Sequence, residues 1–257
     1  MAETTARMPM RIAHLYPDLL NLYGDRGNVL ALVRRLRLRG FPVEVVQVGA
    51  GDPFDPAAFD LAFLGGGQDY EQAILMDDLM RHKAGAIREG VDAGLVFLCI
   101  CGGFQLMGRS YRTWEGRELR FLGALDLWTV GGRKRLIGNT AYRSGVLAEA
   151  GADPWIAGFE NHSGRTYLGP GVTPLAEVVR GSGNNGEDGT EGAVHRNVFC
   201  TYSHGSVLPK NPAFADLLLS RAVARRYPDA GPLAPLDDAF EAKAREAVFR
   251  RLRVERD

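Results

Sequence analysis

Cysteine and histidine are the side chains best suited to nucleophilic chemistry near neutral pH, and this chain has three of the first and five of the second. One of each stands at the end of an apolar run and next to glycine. Cys101 follows Leu95-Val96-Phe97-Leu98-Cys99-Ile100 and precedes Gly102-Gly103-Phe104-Gln105-Leu106-Met107. The run reads as a parallel strand covered on both faces, and the residues after the glycines have helix-forming character. The glycines permit the tight turn between the two and leave room for a substrate against the backbone. A cysteine at such a strand-to-helix elbow is raised out of the sheet, where a helix N-terminus favours the thiolate form. Cys101 is therefore the candidate nucleophile, and the Gly102 N–H points where an oxyanion would form.

A thiol nucleophile needs a base within hydrogen-bond reach. His204 ends Val198-Phe199-Cys200-Thr201-Tyr202-Ser203 and precedes Gly205-Ser206, so it faces a cleft from a strand end. It is the candidate base. His14 falls in a first strand, His82 in a helix, and His195 at a hairpin corner beside Arg196 and Asn197; all three read as structural or solvent-exposed. His162, within Gly158-Phe159-Glu160-Asn161-His162-Ser163-Gly164-Arg165, either contacts substrate or fastens a hairpin. Cys99 lies inside the apolar run and reads as a small core residue. The C-x-C spacing, with Cys200 far away and no C-x-x-C pair, argues against a metal site. Gly65-Gly66-Gly67 follows the apolar Leu61-Ala62-Phe63-Leu64, with neither a P-loop nor a dinucleotide fingerprint. The better reading is a close backbone approach in which the N–H groups of Gly66 and Gly67 join that of Gly102 in an oxyanion hole, the plain alternative being an ordinary glycine turn.

The elements that must position these residues follow from periodicity. Met10 to Tyr16 reads as a first strand after a loose tail, Asp25-Arg26-Gly27-Asn28 as a helix start followed by Val29 to Arg39 and a stop at Gly40, Val43 to Val48 as a second strand, Asp60 to Leu64 as a third and Asp77 to Gly90 as a helix. With the run ending at Ile100, this alternation predicts an α/β fold around a doubly wound, mostly parallel sheet. The Gly65 loop and Cys101 both fall at carboxyl ends of strands, where such sheets bind ligands. After Gly108 the candidates are short: Leu122 to Val130, Ile137 to Tyr142, Trp155 to Glu160, Thr166 to Leu168, Ala176 to Val179, Gly192 to His195 and Val198 to Tyr202. They read as antiparallel hairpins added to that sheet. Helices at 211–226 and 236–254 close the chain, so a single domain over 1–257, with its core at about 10–208, is expected.

Composition limits the function classes. The 257 residues are 46% hydrophobic and 24% charged, which suits a packed core. Thirty-one basic residues balance thirty-one acidic ones, giving no argument for nucleic acid or a charged membrane surface. No apolar run approaches a membrane span, Met1 to Arg11 has no signal-peptide core, and three cysteines suit a reducing compartment. We expect a cytoplasmic protein with neither nucleic-acid binding nor membrane insertion.

The order Gly-Gly-Gly loop, strand-Cys-Gly-Gly-Phe-Gln, strand-Ser-His-Gly resembles the class I glutamine amidotransferases. Cys101-Gly102-Gly103-Phe104-Gln105 is similar to the cobyric acid synthase branch. Tyr23-Gly24-Asp25-Arg26-Gly27-Asn28, Leu64 to Asp69, Arg135 to Asn139 and Glu160-Asn161-His162-Ser163-Gly164-Arg165 more closely resemble the GatD family, glutaminase subunits of lipid II isoglutaminyl synthase that pair with MurT. The resemblance covers about Met10 to Leu208. It implies hydrolysis of L-glutamine to glutamate and ammonia through a thioester on Cys101, with His204 moving the protons. It also implies that Arg135 grips the glutamine α-carboxylate, a task suited to a planar guanidinium, and that Gln105, His162 and Ser203 line the substrate site. On sequence alone, Arg135 is one member of a solvated Arg133-Lys134-Arg135 run.

Many members of the class carry a Glu two residues after the catalytic His; here that position is Ser206. The missing carboxylate is expected from elsewhere in the chain or from a partner, and we favour the partner. The chain has no nucleotide fingerprint, so no cofactor is expected on it; ATP and Mg are expected on a Mur-ligase-like MurT subunit. That partner would amidate the D-glutamate of the lipid II stem peptide, in a heterodimer that meets lipid II only through it. The alternatives are corrin-type amidation of cobyrinic or cobyric acid, whose enzymes usually hold the ATP-using domain on the same chain; a non-catalytic amidotransferase-like scaffold; and a cysteine hydrolase of γ-glutamyl peptides.

Overall fold

The computed structural model describes residues 8–67 and 75–256. Gln68 and Asp69, quoted above with the glycine loop, lie outside the described residues. A six-stranded sheet carries the first half of the chain and receives two strands from the end of the second. Its strands are β1 (Met10–Leu15), β2 (Val43–Val48), β3 (Leu61–Leu64), β4 (Val96–Ile100), β11 (Ala193–His195) and β12 (Val198–Thr201). Their order is β11-β12-β4-β3-β1-β2, with every pairing parallel except β11 with β12. This is the doubly wound arrangement expected from the alternation of apolar strands and helices. Every side chain of β3, β4 and β12 is buried, which is why these strands read as continuous apolar runs.

Helix α1 (Arg26–Leu38) buries Val29, Leu32, Val33 and Leu36. The next helical stretch contains a π turn at Leu79–Lys83 and continues as α2 (Ala84–Asp92). The π turn brings Lys83 fully inside, where its ammonium meets Asp78 and lies over the Tyr16 ring. The short helix α3 (Gly102–Met107) follows β4 directly.

The second half differs from the sequence expectation in one respect. The short candidates at 122–130 and 137–142 belong to one 17-residue strand, β7 (Leu127–Arg143), and those at 155–160 and 166–168 to one 14-residue strand, β8 (Trp155–Leu168). The two pair antiparallel along most of their length, with a register shift between Gly131 and Leu136. They form a second six-stranded sheet with β5 (Ser110–Arg112), β6 (Glu118–Arg120), β9 (Ala176–Arg180) and β10 (Thr190–Glu191), rather than fringing the first. The irregularity at Gly131 to Arg135 breaks the two-residue periodicity that would have shown continuity. Helices at Pro212–Arg226 and Ala239–Leu252 pack on the outside, and Arg35 joins Asp216 and Asp238 between them and α1.

Candidate active site

Cys101 sits between β4 and α3 with φ 49° and ψ −101°, outside the conformations that L-residues prefer. Such a backbone costs about 1–3 kcal/mol and persists only where its surroundings hold it. Here the Cys101 N–H donates to the Thr201 carbonyl at 2.9 Å, and Gly103 N–H to the Gly65 carbonyl at 3.1 Å. Two neighbouring strands therefore clamp the elbow from either side.

β12 ends at Thr201, and three residues on His204 enters the same space, with its own N–H donating to the Phe159 carbonyl at 2.7 Å. The imidazole is completely buried. Its Nδ1 lies 3.4 Å from both oxygens of Asp25, itself completely buried. Its Nε2 has no hydrogen-bond partner among the described residues. The convergence is measured best at Gly66. A β-carbon there would stand 2.7 Å from His204 Cε1, 2.8 Å from Asp25 Oδ2 and 3.5 Å from Cys101 Cβ. Cys101, His204 and Asp25 thus meet around one α-carbon that can bear only hydrogen.

Burial pulls the His204 pKa down, but the Coulombic pull of Cys101, the hydrogen bond to Asp25 and its contact with Cys101 outweigh it and lift the value to about 10. The raised value favours the imidazolium form of a ring held between Cys101 and Asp25. His162 behaves in the opposite way. Burial lowers its pKa to about 3, despite Nδ1 donating to the Gly164 carbonyl at 2.8 Å. It is a neutral ring, stacked on Tyr202 with centroids 3.7 Å apart.

The remaining expected residues divide by position. Gln105 is buried behind the elbow and donates to the Tyr202 hydroxyl at 3.1 Å, in a network that continues to Thr166 and Thr129. Arg135 lies at the surface but is tied to the site. Its Nε and Nη2 donate to the side-chain and main-chain oxygens of Asn161 at 2.7 and 2.8 Å, and Asn161 Nδ2 donates to the Tyr23 hydroxyl at 2.5 Å. The Tyr23 ring then meets His204 edge-on, with centroids 4.9 Å apart. Ser203 is fully buried beside Gly158. One expectation does not hold. The Gly66 N–H donates to Asp25 Oδ2 at 2.9 Å, so it is occupied rather than offered to an oxyanion. Gly67 follows on the same loop, and Gly102 heads α3.

The carboxylate beside His204 comes from this chain, where a partner was expected. Asp25 lies in the quoted Tyr-Gly-Asp-Arg-Gly-Asn stretch, but it stands 179 residues from the histidine it touches and directly before a helix, where an acidic residue reads as a cap. Tyr23 and Asn161 were likewise in view without a role.

Residues 11–212 match the CobB/CobQ-like glutamine amidotransferase domain. The chain belongs to the CobB/CobQ-like glutamine amidotransferase family. The chain is 38% identical to the lipid II isoglutaminyl synthase (glutamine-hydrolyzing) subunit GatD of Staphylococcus aureus strain N315, over 94% of this chain and 96% of that one. It is 40% identical to the GatD subunit of Streptococcus pneumoniae strain ATCC BAA-255 / R6, over 85% and 82%. A cobyric acid synthase of Pelotomaculum thermopropionicum is 32% identical, but over only 38% of its own length against 79% of this chain. Among solved structures, PurLQS from Thermotoga maritima superposes with a TM-score of 0.55 at 18% identity, covering 85% of this chain and 97% of that one. A glutamine amidotransferase from the same organism gives 0.54 at 13%, covering 96% of each. At these identities the structures establish a shared amidotransferase fold.

Proposed function

We propose that this chain is the glutaminase subunit of a lipid II isoglutaminyl synthase, hydrolysing L-glutamine and passing the ammonia to a second polypeptide. The observation that carries the reading is the convergence of the strained, buried Cys101 with His204 and Asp25 around Gly66. Its support is the near full-length similarity to two GatD subunits.

The chemistry follows from the placement. The Cys101 sulfur attacks the side-chain carbonyl carbon of glutamine, and the carbonyl oxygen gains the negative charge. The Gly102 N–H, at the head of α3, is the donor we assign to it. His204 gives its Nε2 proton to the departing nitrogen, which leaves as ammonia, and a γ-glutamyl thioester remains on Cys101. Water then attacks the thioester, His204 takes its proton, and glutamate departs from the regenerated sulfur. Arg135 offers two parallel donors for the α-carboxylate once substrate displaces Asn161 from it. Gln105 and His162 form the wall behind the elbow through Tyr202.

Amidation of a carboxylate requires its activation, and we assign that step to a MurT-like Mur ligase subunit holding ATP and Mg. The acceptor would be the D-glutamate of the lipid II stem peptide, reached through the partner in the cytoplasm. No helix among the described residues is long and apolar enough to cross a membrane. The test is glutamate release from L-glutamine, and amide formation on lipid II, by the chain co-purified with that partner, wild type beside Cys101→Ala. Both activities are expected in the wild type and neither in the variant. Glutamate release that persists in Cys101→Ala, or a wild-type complex that leaves lipid II unamidated, contradicts the reading.

A further inference from the structure

We propose that Asp25 is the positioning residue for His204, and that Ser206, Gly27 and Asn28 form a module that fixes it there. The proposal rests on the glutaminase reading for its reaction and on the following geometry for its residues.

Asp25 stands at the N-cap position of α1 but makes no capping hydrogen bond with its side chain. An aspartate there ordinarily accepts from the first free N–H groups of its helix. This one turns away and places both oxygens 3.4 Å from His204 Nδ1, while Oδ2 also accepts from Gly66 N–H. A completely buried carboxylate needs such partners to offset its lost hydration, and helix capping does not explain its direction. Distances of this length at a catalytic pair commonly shorten once substrate is bound.

The segments bearing the two side chains are fastened together. Ser206, two residues after His204, takes the left-handed conformation at φ 49° and donates from its hydroxyl to the Gly24 carbonyl at 2.6 Å, one residue before Asp25. A β-carbon at position 27 would lie 2.2 Å from Ser206 Oγ, so only glycine admits that contact. Asn28 Oδ1 accepts from Leu208 N–H at 3.0 Å. Gly24, Asp25, Gly27 and Asn28 thereby each acquire a task. These two hydrogen bonds tie the turn that carries the carboxylate to the segment that carries the imidazole. Ser206 secures the turn, and the turn supplies the charge.

The chemical consequence concerns orientation and proton affinity. A carboxylate on Nδ1–H keeps Nε2 aimed at the sulfur and favours the imidazolium. Among the described residues, the other groups facing this ring are Cys101, the Tyr23 ring and the neutral His162, and Asp25 is the carboxylate that meets it.

The test uses the complex with its partner, in wild-type, Asp25→Asn and Ser206→Ala forms. Asparagine keeps an acceptor for Gly66 N–H and removes the charge. Two readouts are taken between pH 6 and pH 10, ranges chosen to span about the ordinary and raised imidazole values: kcat and KM for glutamate release, and the rate of Cys101 alkylation by iodoacetamide. For Asp25→Asn we expect kcat to fall roughly 100-fold or more, with KM within about threefold. The alkaline limb of kcat/KM and the upper inflection of alkylation should both move to lower pH by about one unit or more. Ser206→Ala should move both in the same direction by less. Wild-type rates and unmoved limbs in both variants overturn the proposal, as does lost activity with an unmoved alkylation profile. If wild type releases no glutamate, the functional reading fails on its own, while the alkylation profiles still decide the role of Asp25.

Discussion

Gly66→Ala is the smallest change that puts the convergence of the three side chains at risk. The glycine is outside the left-handed region, so alanine brings no backbone strain and the effect is one of space alone. The new methyl would stand 2.7 Å from His204 Cε1 and 2.8 Å from Asp25 Oδ2, against the 3.4 Å at which ordinary contact begins. The imidazole must withdraw by about 0.7 Å and the carboxylate by about 0.6 Å. Both are fully buried, and the His204 backbone is tied to Phe159, so little slack exists. Overpacking of this kind costs about 1–3 kcal/mol of stability, leaving a folded protein. A displacement approaching 1 Å at a reacting group costs roughly 100-fold in rate. The assay is steady-state glutamate release by the complex, beside a thermal melt of the same preparation. We expect kcat down roughly 100-fold and a cooperative melt lowered by several degrees, on the order of 3–8 °C. A Gly66→Ala complex that keeps kcat within about twofold of wild type refutes the reasoning, because the three side chains then do not meet where the geometry places them.

Two further outcomes follow. Arg135→Ala should raise the KM for glutamine roughly 10- to 100-fold and leave kcat within about threefold, as expected for a charged contact made equally in ground and transition states; an unchanged KM removes Arg135 from the substrate site. Glu191 is buried, with Thr201 Oγ1 and Tyr202 N–H on one oxygen, and burial raises its pKa to about 7 despite those bonds. A carboxyl raised in the folded state keeps its proton while the unfolded chain ionises near pH 4.5, so its contribution to stability is lost as pH rises from there through about 7, by about 3 kcal/mol. Urea midpoints of Glu191→Gln should lack that decline and exceed wild type at pH 8; parallel curves for the two proteins would show that Glu191 does not titrate in this window.

The parallel half of the fold is legible because its strands are buried on both faces. Leu61–Leu64 and Val96–Ile100 have no polar residue to obscure them, and glycines mark where they end. The second sheet is harder to read. Strand β7 alternates between buried, half-buried and exposed positions and passes through Gly131-Gly132 and a charged run, so it resembles two short strands and a turn. Cys101 and His204 were recognisable because each reactive side chain stands between an apolar strand and a glycine. Asp25 was not, because its contact with His204 spans 179 residues and its local context is a helix start. The Gly66 N–H shows the converse limit: a glycine loop after a strand suggests free donors, yet a carboxylate elsewhere in the chain already holds this one.

The most direct test of the central claim is site mapping of a glutamine-analogue electrophile. The wild-type complex is treated with a diazo-ketone analogue of glutamine, digested and mapped by mass spectrometry. Our account predicts one adduct, on Cys101, suppressed by excess L-glutamine, with the buried Cys99 and Cys200 unmodified. An adduct on another residue, or none on Cys101 in a complex that still releases glutamate, would contradict it.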